Sequence, residues 1–217
     1  MKEISDLKSF RDAFVGGISL SLEKEGYQYK KSKEVFTKLN NDHQFSIFIY
    51  MYRRAGFIEV ETRVYYCNTT IEKKLKEIGI KVLDDKVWGG SIKFISEYYF
   101  GAEYPDKYTN LIYEFGEETL PLIQTWLAYL SSIIEPFLKD CTNPVILNKI
   151  VNEEKIDTSG LNTSYEKRVL RFYYVGKMAG LSDDELRKLF ELYENQLIKL
   201  NANYLPKFIE MKNKVIL

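Results

Sequence analysis

Residues 34–67 read EVFTKLNNDHQFSIFIYMYRRAGFIEVETRVYYC, and this stretch decides the fold. Its apolar, β-branched and aromatic side chains recur at every second position, the period of a strand with one buried face. Asn40-Asn41-Asp42 interrupts the run once and Ala55-Gly56 interrupts it again, and these residue types tolerate the backbone of tight turns. The reading is an antiparallel β-meander. With Ala55-Gly56 as a two-residue loop, Arg54 faces Phe57, Tyr52 faces Glu59, Tyr50 faces Glu61 and Phe48 faces Arg63. The opposite side then carries Phe45, Ile47, Ile49 and Met51 beside Val60, Thr62, Val64 and Tyr66. That side is apolar except for one threonine and one phenol hydroxyl, so it is predicted to meet the core against the first helix.

Upstream, Ile4, Leu7, Phe14, Ile18 and Leu22 lie three, four or seven apart, an amphipathic helix that glycine ends near Gly26. Gly16-Gly17 inside it either lets a neighbour approach closely or splits the helix. Downstream, Thr69 or Thr70 is expected to cap a short helix over 71–78 that stops at Gly79. Lys86 to Ser96 reads as a strand interrupted by Gly89-Gly90, and Thr109 to Phe115 as another. A helix should run from about Glu118 to Glu135 until Pro136 disturbs it, and Asn143-Pro144 supplies a cap and a first-turn proline for the next. The segment Glu153 to Gly160 is the one plausible linker. Beyond it, Thr163-Ser164-Tyr165-Glu166 and Ser182-Asp183-Asp184-Glu185 match the capping box, predicting a helical hairpin that turns at Ala179-Gly180-Leu181. The second of these helices bears Leu186, Leu189, Phe190, Tyr193, Leu197 and Leu200 on one stripe. The fold class is therefore α+β: an antiparallel β-meander sheet of about five strands packed by an N-terminal helix, with a C-terminal helical layer. The boundaries drawn are an α+β domain over 1–152 and a helical hairpin extension over 161–217 packed on it.

The chain has 217 residues, with 31 Lys and Arg against 31 Asp and Glu. A zero balance lacks the basic surplus that binding to phosphate backbones calls for, so no nucleic acid is expected as a partner. Lys30, Lys31 and Lys33 read as a solvated strand entrance. Thr119 to Ile134 is uncharged for 16 residues, yet at 1.5 Å per residue it covers about 24 Å of a hydrocarbon layer roughly 30 Å thick. It is expected to be a core helix, and no membrane partner is expected. The opening residues lack the pattern of a signal peptide, and Cys67 and Cys141 are too few for a disulfide framework. The expected location is cytoplasmic, and the acceptor-like triplets at Asn68 and Asn162 read as helix caps.

A helix followed by Glu25-Gly26-Tyr27 with Lys30-Lys31, an antiparallel meander, a strand near Trp88 and a later helix ending Pro136-Phe137-Leu138-Lys139 resembles an uncharacterised family of small stand-alone bacterial domains. The likeness runs over about residues 10–150. Some members are suspected of neutralising toxins, so the resemblance implies an immunity-type protein; it carries over no catalytic residues.

The chain carries few residues spaced for chemistry. His43, the only histidine, sits beside a turn and reads as a surface residue, so neither a Ser-His-Asp nor a Cys-His device is expected. No phosphate loop, dinucleotide fingerprint or nucleophile elbow occurs. Glu59 and Glu61 share a strand face and so could hold a divalent cation, although Arg63 and aromatic rings alternate with them as on an ordinary exposed face. Tyrosine supplies 17 of 32 aromatic residues, and its apolar body with a polar tip suits protein interfaces. The expected partner-binding set is Phe48, Tyr50, Tyr52, Glu59, Glu61 and Arg63, with no catalytic residue, metal or cofactor. A covering helix layer would instead make its aromatics second-layer core. The function expected is a non-enzymatic cytoplasmic protein-binding module acting by stoichiometric association, its partner a toxin in the immunity-type reading. The alternatives are a metal-dependent hydrolase or small-ligand-binding enzyme using Glu59 and Glu61, and a homodimer burying the same face.

Overall fold

Phe10, Phe14, Val15, Ile18 and Leu22 lie on one stripe of helix α1 (Leu7–Lys24), and all five are buried. The computed structural model describes residues 6–80, 87–100, 110–153, 169–200 and 202–216. Asp6 caps α1 by accepting from the Ser9 amide at 2.9 Å. Gly26, at φ +88°, ends it, with the Tyr27 amide returning to the Leu22 carbonyl at 2.9 Å. The Gly16-Gly17 pair leaves α1 unbroken. A Cβ built on Gly17 would lie 2.4 Å from Ile123 Cδ1, so this glycine admits helix α4 (Thr119–Tyr129) rather than splitting the helix.

The chain divides into two compact units, Met1–Tyr66 with Gly89–Leu138, and Cys67–Trp88 with Lys139–Leu217. The first holds the meander: β1 (Gln28–Lys30), β2 (Val35–Asn40), β3 (His43–Arg53) and β4 (Phe57–Asn68). They are joined in that order into a six-stranded sheet, and β4 also pairs with β5 (Trp88–Ser91) and β6 (Leu111–Glu114). Val35 faces Phe48 and Asn40 faces His43 across β2–β3; Phe57 faces Glu114 across β4–β6. Both predicted turns are present, with Asn41 at φ +51° and Gly56 at φ +88°, and the Arg54 amide donates to the Phe57 carbonyl at 2.9 Å.

Phe45, Ile47, Ile49, Met51, Val60, Thr62, Val64 and Tyr66 are all buried, as the alternation requires. Phe10 meets Tyr113 at 4.4 Å between ring centroids, and Phe14 meets Trp126 edge-on at 6.5 Å. The two polar exceptions on this face are both satisfied. Trp126 Nε1 donates to Thr62 Oγ1 at 2.9 Å, and Tyr66 Oη shares a 2.8 Å hydrogen bond with His43 Nδ1. A buried hydroxyl without a partner would cost roughly 1–3 kcal/mol, so these two bonds make the positions tolerable.

Several local expectations are corrected. Helix α2 (Thr69–Glu77) is capped by Asn68, whose Oδ1 accepts from the Ile71 amide at 3.1 Å; neither threonine is the cap. The strand expected up to Ser96 ends at Ser91, and helix α3 (Ile92–Phe100) follows. Ile92, Ile95 and Ser96 are buried, a helical spacing that the β-branched and aromatic composition concealed. Pro136 does not end the long helix. A π-helical turn, Leu130–Ile134, intervenes, with the Glu135 amide donating to the Leu130 carbonyl, and α5 (Glu135–Thr142) continues. The widened turn removes the clash that proline makes with a preceding carbonyl.

The second unit also contains α6 (Pro144–Asn148), α7 (Phe172–Met178), α8 (Asp183–Leu200) and α9 (Leu205–Ile216). Asn143 caps α6 as predicted. The Ser182 amide donates to Glu185 Oε2 at 2.7 Å while Ser182 Oγ accepts from the Glu185 amide at 3.3 Å, so the second capping box forms. The first, the linker after Glu153, and Asn162 lie outside the described residues. Phe172, Phe190, Tyr193 and Phe208 make the centre, with Phe172 stacked edge-on to Phe190 at 4.8 Å.

Candidate functional site

The β3–β4 hairpin turns Phe48, Tyr50, Tyr52 and Arg54 to the side of the sheet away from α1, where Glu59, Glu61, Arg63 and Tyr65 join them from β4. This face is graded. At one end Phe48 is buried with Val35 and Tyr65, the two rings meeting edge-on at 5.7 Å, and Tyr50 packs against the cluster. Toward the turn Tyr52 is 38% exposed and Arg54 is open to solvent, and Arg63, across the hairpin from Phe48, is open as well. Phe48 is thus an anchor beneath the face rather than part of its open surface. Phe48 is buried among residues of the sheet itself, and Tyr52 is not second-layer core.

The open end is interlaced with charge. Arg63 Nε donates to Glu61 Oε1 at 2.6 Å, and Tyr52 Oη donates to Glu61 Oε2 at 3.2 Å. Arg54 holds Glu59 Oε2 through Nε at 3.2 Å and Nη2 at 2.9 Å, while Asn110 Nδ2 donates to Glu59 Oε1 at 2.7 Å. Each guanidinium also lies over a tyrosine ring, Arg54 at 5.5 Å from Tyr52 and Arg63 at 5.6 Å from Tyr50. Such contacts restrict long side chains that would otherwise be free to rotate.

Titration behaviour follows from these bonds. The hydrogen bonds from Asn110 and then Arg54 hold the Glu59 carboxyl below its ordinary range. Partial burial, and then the Glu61 carboxylate, push the Tyr52 phenol above its own. Glu59 is therefore anionic at neutral pH, and both glutamates are already matched by guanidinium. A divalent cation at this pair would have to displace Arg54 and Arg63, and among the described residues no three His, Cys, Asp or Glu side chains converge as a ligand set.

The remaining candidates separate in space or in character. His43 is half-buried and stacked with Phe45 and Tyr66, so it is a supporting residue of the sheet and not a free turn residue. Cys67 and Cys141 are both buried, and burial raises the Cys141 pKa, which leaves it the unreactive neutral form. Lys30, Lys31 and Lys33 are exposed around a short 3-10 turn. Two members of the face were missed. Arg54 could have been found from the register, since it shares the parity of Tyr50 and Tyr52; Asn110 is 51 residues from Glu59 and had no local signal. Among the described residues no helix is long and apolar enough to cross a membrane. No family model, curated protein or solved structure matches the chain.

Proposed function

We propose that the protein is a non-enzymatic, cytoplasmic protein-binding module that acts by stoichiometric association through Tyr50, Tyr52, Glu59, Glu61 and Arg63, with Phe48 as the buried anchor. The observation that carries this is the organisation of the open strand face: exposed tyrosine, stacked guanidinium and mutually neutralised carboxylates on a rigid hairpin. Tyrosine and arginine supply most of the binding energy at many protein interfaces, and pre-paired charges lower the cost of ordering them. The immunity-type role, with a toxin as the partner, rests on the resemblance of residues 10–150 and is the narrower form of the same proposal. The cytoplasmic placement rests on the cysteine count: Cys67 and Cys141 are too few for a disulfide framework.

Tagged full-length protein is used to capture partners from its native lysate, in parallel with Tyr50→Ala/Tyr52→Ala. A near-stoichiometric partner present with the parent and lost with the double variant supports the reading. A partner retained by the double variant overturns the assignment of the face. Sedimentation equilibrium of both proteins separates the homodimer, which would bury this same surface and dissociate in the double variant.

A further inference from the structure

Six arginines lie among the described residues, and five of them meet a carboxylate: Arg11 with Glu34, Arg54 with Glu59, Arg63 with Glu61, Arg171 with Glu72 and Arg187 with Asp184. Arg53 is the exception. It ends β3 at the tip of the β3–β4 hairpin and is exposed. Its guanidinium lies 5.7 Å from the centre of the Phe115 ring and has no ion pair or hydrogen bond among the described residues. Two turns build this arrangement. The Phe115 amide donates to the Gly56 carbonyl at 3.3 Å, which fastens the turn after β6 to the hairpin loop, and the Glu117 amide closes that turn on the Glu114 carbonyl at 3.2 Å.

Stacking on Phe115 orders the long side chain while its N–H edge stays in water, and a planar fork prepared in this way takes a carboxylate with little further loss of rotamer freedom. Glu114, Glu117 and Glu118 lie in or beside the same turn. Glu117 Oε2 accepts from the Glu114 amide at 3.4 Å, and none of the three forms an ion pair with Arg53; across solvent their fields are weak beside a direct contact. Access to the tip is open, since Ala55 and Gly56 are exposed and a Cβ on Gly56 would meet nothing within 4 Å. Arg54 points to the other side of the hairpin, where it stacks on Tyr52 and is already held by Glu59. The cation left for an incoming acid at this tip is therefore Arg53.

We propose that Arg53 recognises a carboxylate side chain of the protein partner through the fork of its guanidinium, with Phe115 as the supporting ring. The inference rests on the protein-binding reading and adds the chemistry the partner presents, an Asp or Glu side chain at the hairpin tip. The full chain is used to select binders from a displayed library of random peptides, and the affinity of the selected peptides is measured by calorimetry for the parent, Arg53→Ala, Arg53→Lys and Tyr50→Ala/Tyr52→Ala. The peptides are expected to share one acidic position, and changing it to the amide should weaken binding about tenfold, as loss of a charge-assisted contact does. Arg53→Ala should weaken the acidic peptide by the same factor and leave its amide counterpart unchanged. Arg53→Lys should recover only part of the loss, because an ammonium cannot form the fork. Arg53 is exposed, so its variants should keep the parent's urea midpoint. No selectable peptide, no shared acidic position, or equal binding by Arg53→Ala and the parent overturns the proposal. Binding lost in Tyr50→Ala/Tyr52→Ala but kept in Arg53→Ala also overturns it and leaves the strand-face reading standing, whereas binding lost only in Arg53→Ala upholds it and takes the strand face out of the site.

Discussion

Gly89 has φ +135°, and a Cβ on it would stand 1.9 Å from the Val64 carbonyl oxygen. That backbone region is essentially restricted to glycine, and the obstacle is backbone of the adjoining strand, which cannot swing aside. Gly89→Ala is expected to cost at least about 3 kcal/mol or to abolish folding, measured by urea denaturation. Gly56 separates the two causes, because it has φ +88° with nothing within 4 Å. Gly56→Ala should cost only about 1–2 kcal/mol, the strain of a left-handed backbone alone. At Glu59 the effect is electrostatic. Its folded pKa is lowered by Asn110 and Arg54, so the stabilisation is present above the unfolded carboxylate range and is lost as pH falls through the folded value. Urea midpoints taken from neutral pH down to pH 3 should fall less steeply in Asn110→Ala than in the parent, with a difference of about 1 kcal/mol or less for so exposed a site. Parallel slopes would show that Asn110 does not hold Glu59 in solution.

At the scale of the element, Asn68 Oδ1 holds the Ile71 amide while Asn68 itself is 1% exposed. Asn68→Ala should destabilise by about 1–2 kcal/mol, whereas Thr69→Ala and Thr70→Ala should stay within about 0.5 kcal/mol, read from thermal midpoints. The contrast explains what was legible. The helix after the meander was visible from its period and Gly79, but three successive polar residues compete as caps, and the strand's length decides which one is first to leave it. In the same way β3 and β4 were readable to the facing pair at Arg54 and Phe57, because a period of two and a two-residue turn leave one register. Helix α3 was not, since Ile, Phe and Tyr favour strands and only burial at 92, 95 and 96 shows the helical spacing. On the face, alternation named Tyr50, Tyr52, Glu59, Glu61 and Arg63 correctly as neighbours, yet it could not show Phe48 sinking into a cluster with Val35 and Tyr65, which depends on packing beyond one hairpin. In α1, Gly16 faces open space and Gly17 meets Ile123. Gly16→Ala should stabilise by about 0.5–1 kcal/mol through helix propensity. Gly17→Ala gains the same propensity but must push Ile123 aside, so it should fall below Gly16→Ala in midpoint.

For the molecule as a whole, both compact units are assembled from two separated pieces of chain, and the joins within each therefore matter more than any local signal. In the second unit, Arg171 and Glu72 are 99 residues apart, with Nε to Oε1 at 2.5 Å and Nη2 to Oε2 at 2.7 Å. Only 4% of the arginine side chain and 15% of the glutamate side chain are exposed. No spacing or motif pairs these residues in the sequence, because a forked ion pair between distant segments is chosen by the fold and leaves no period. Its contribution is asymmetric. Two buried charges cost desolvation comparable to what their attraction returns, so the intact pair adds little net stability, while removing one partner leaves the other charged and unmatched in a poorly solvated site. Arg171→Met is therefore expected to cost about 3–5 kcal/mol, and Glu72→Leu a similar amount. The double variant Glu72→Leu/Arg171→Met should lie within about 1 kcal/mol of the parent, giving a coupling of several kcal/mol in a double-mutant cycle by urea denaturation. Single variants that each cost less than about 1 kcal/mol, with no coupling, would mean that the pair is solvated and that packing of the aromatic centre alone joins residues 67–88 to the C-terminal helices.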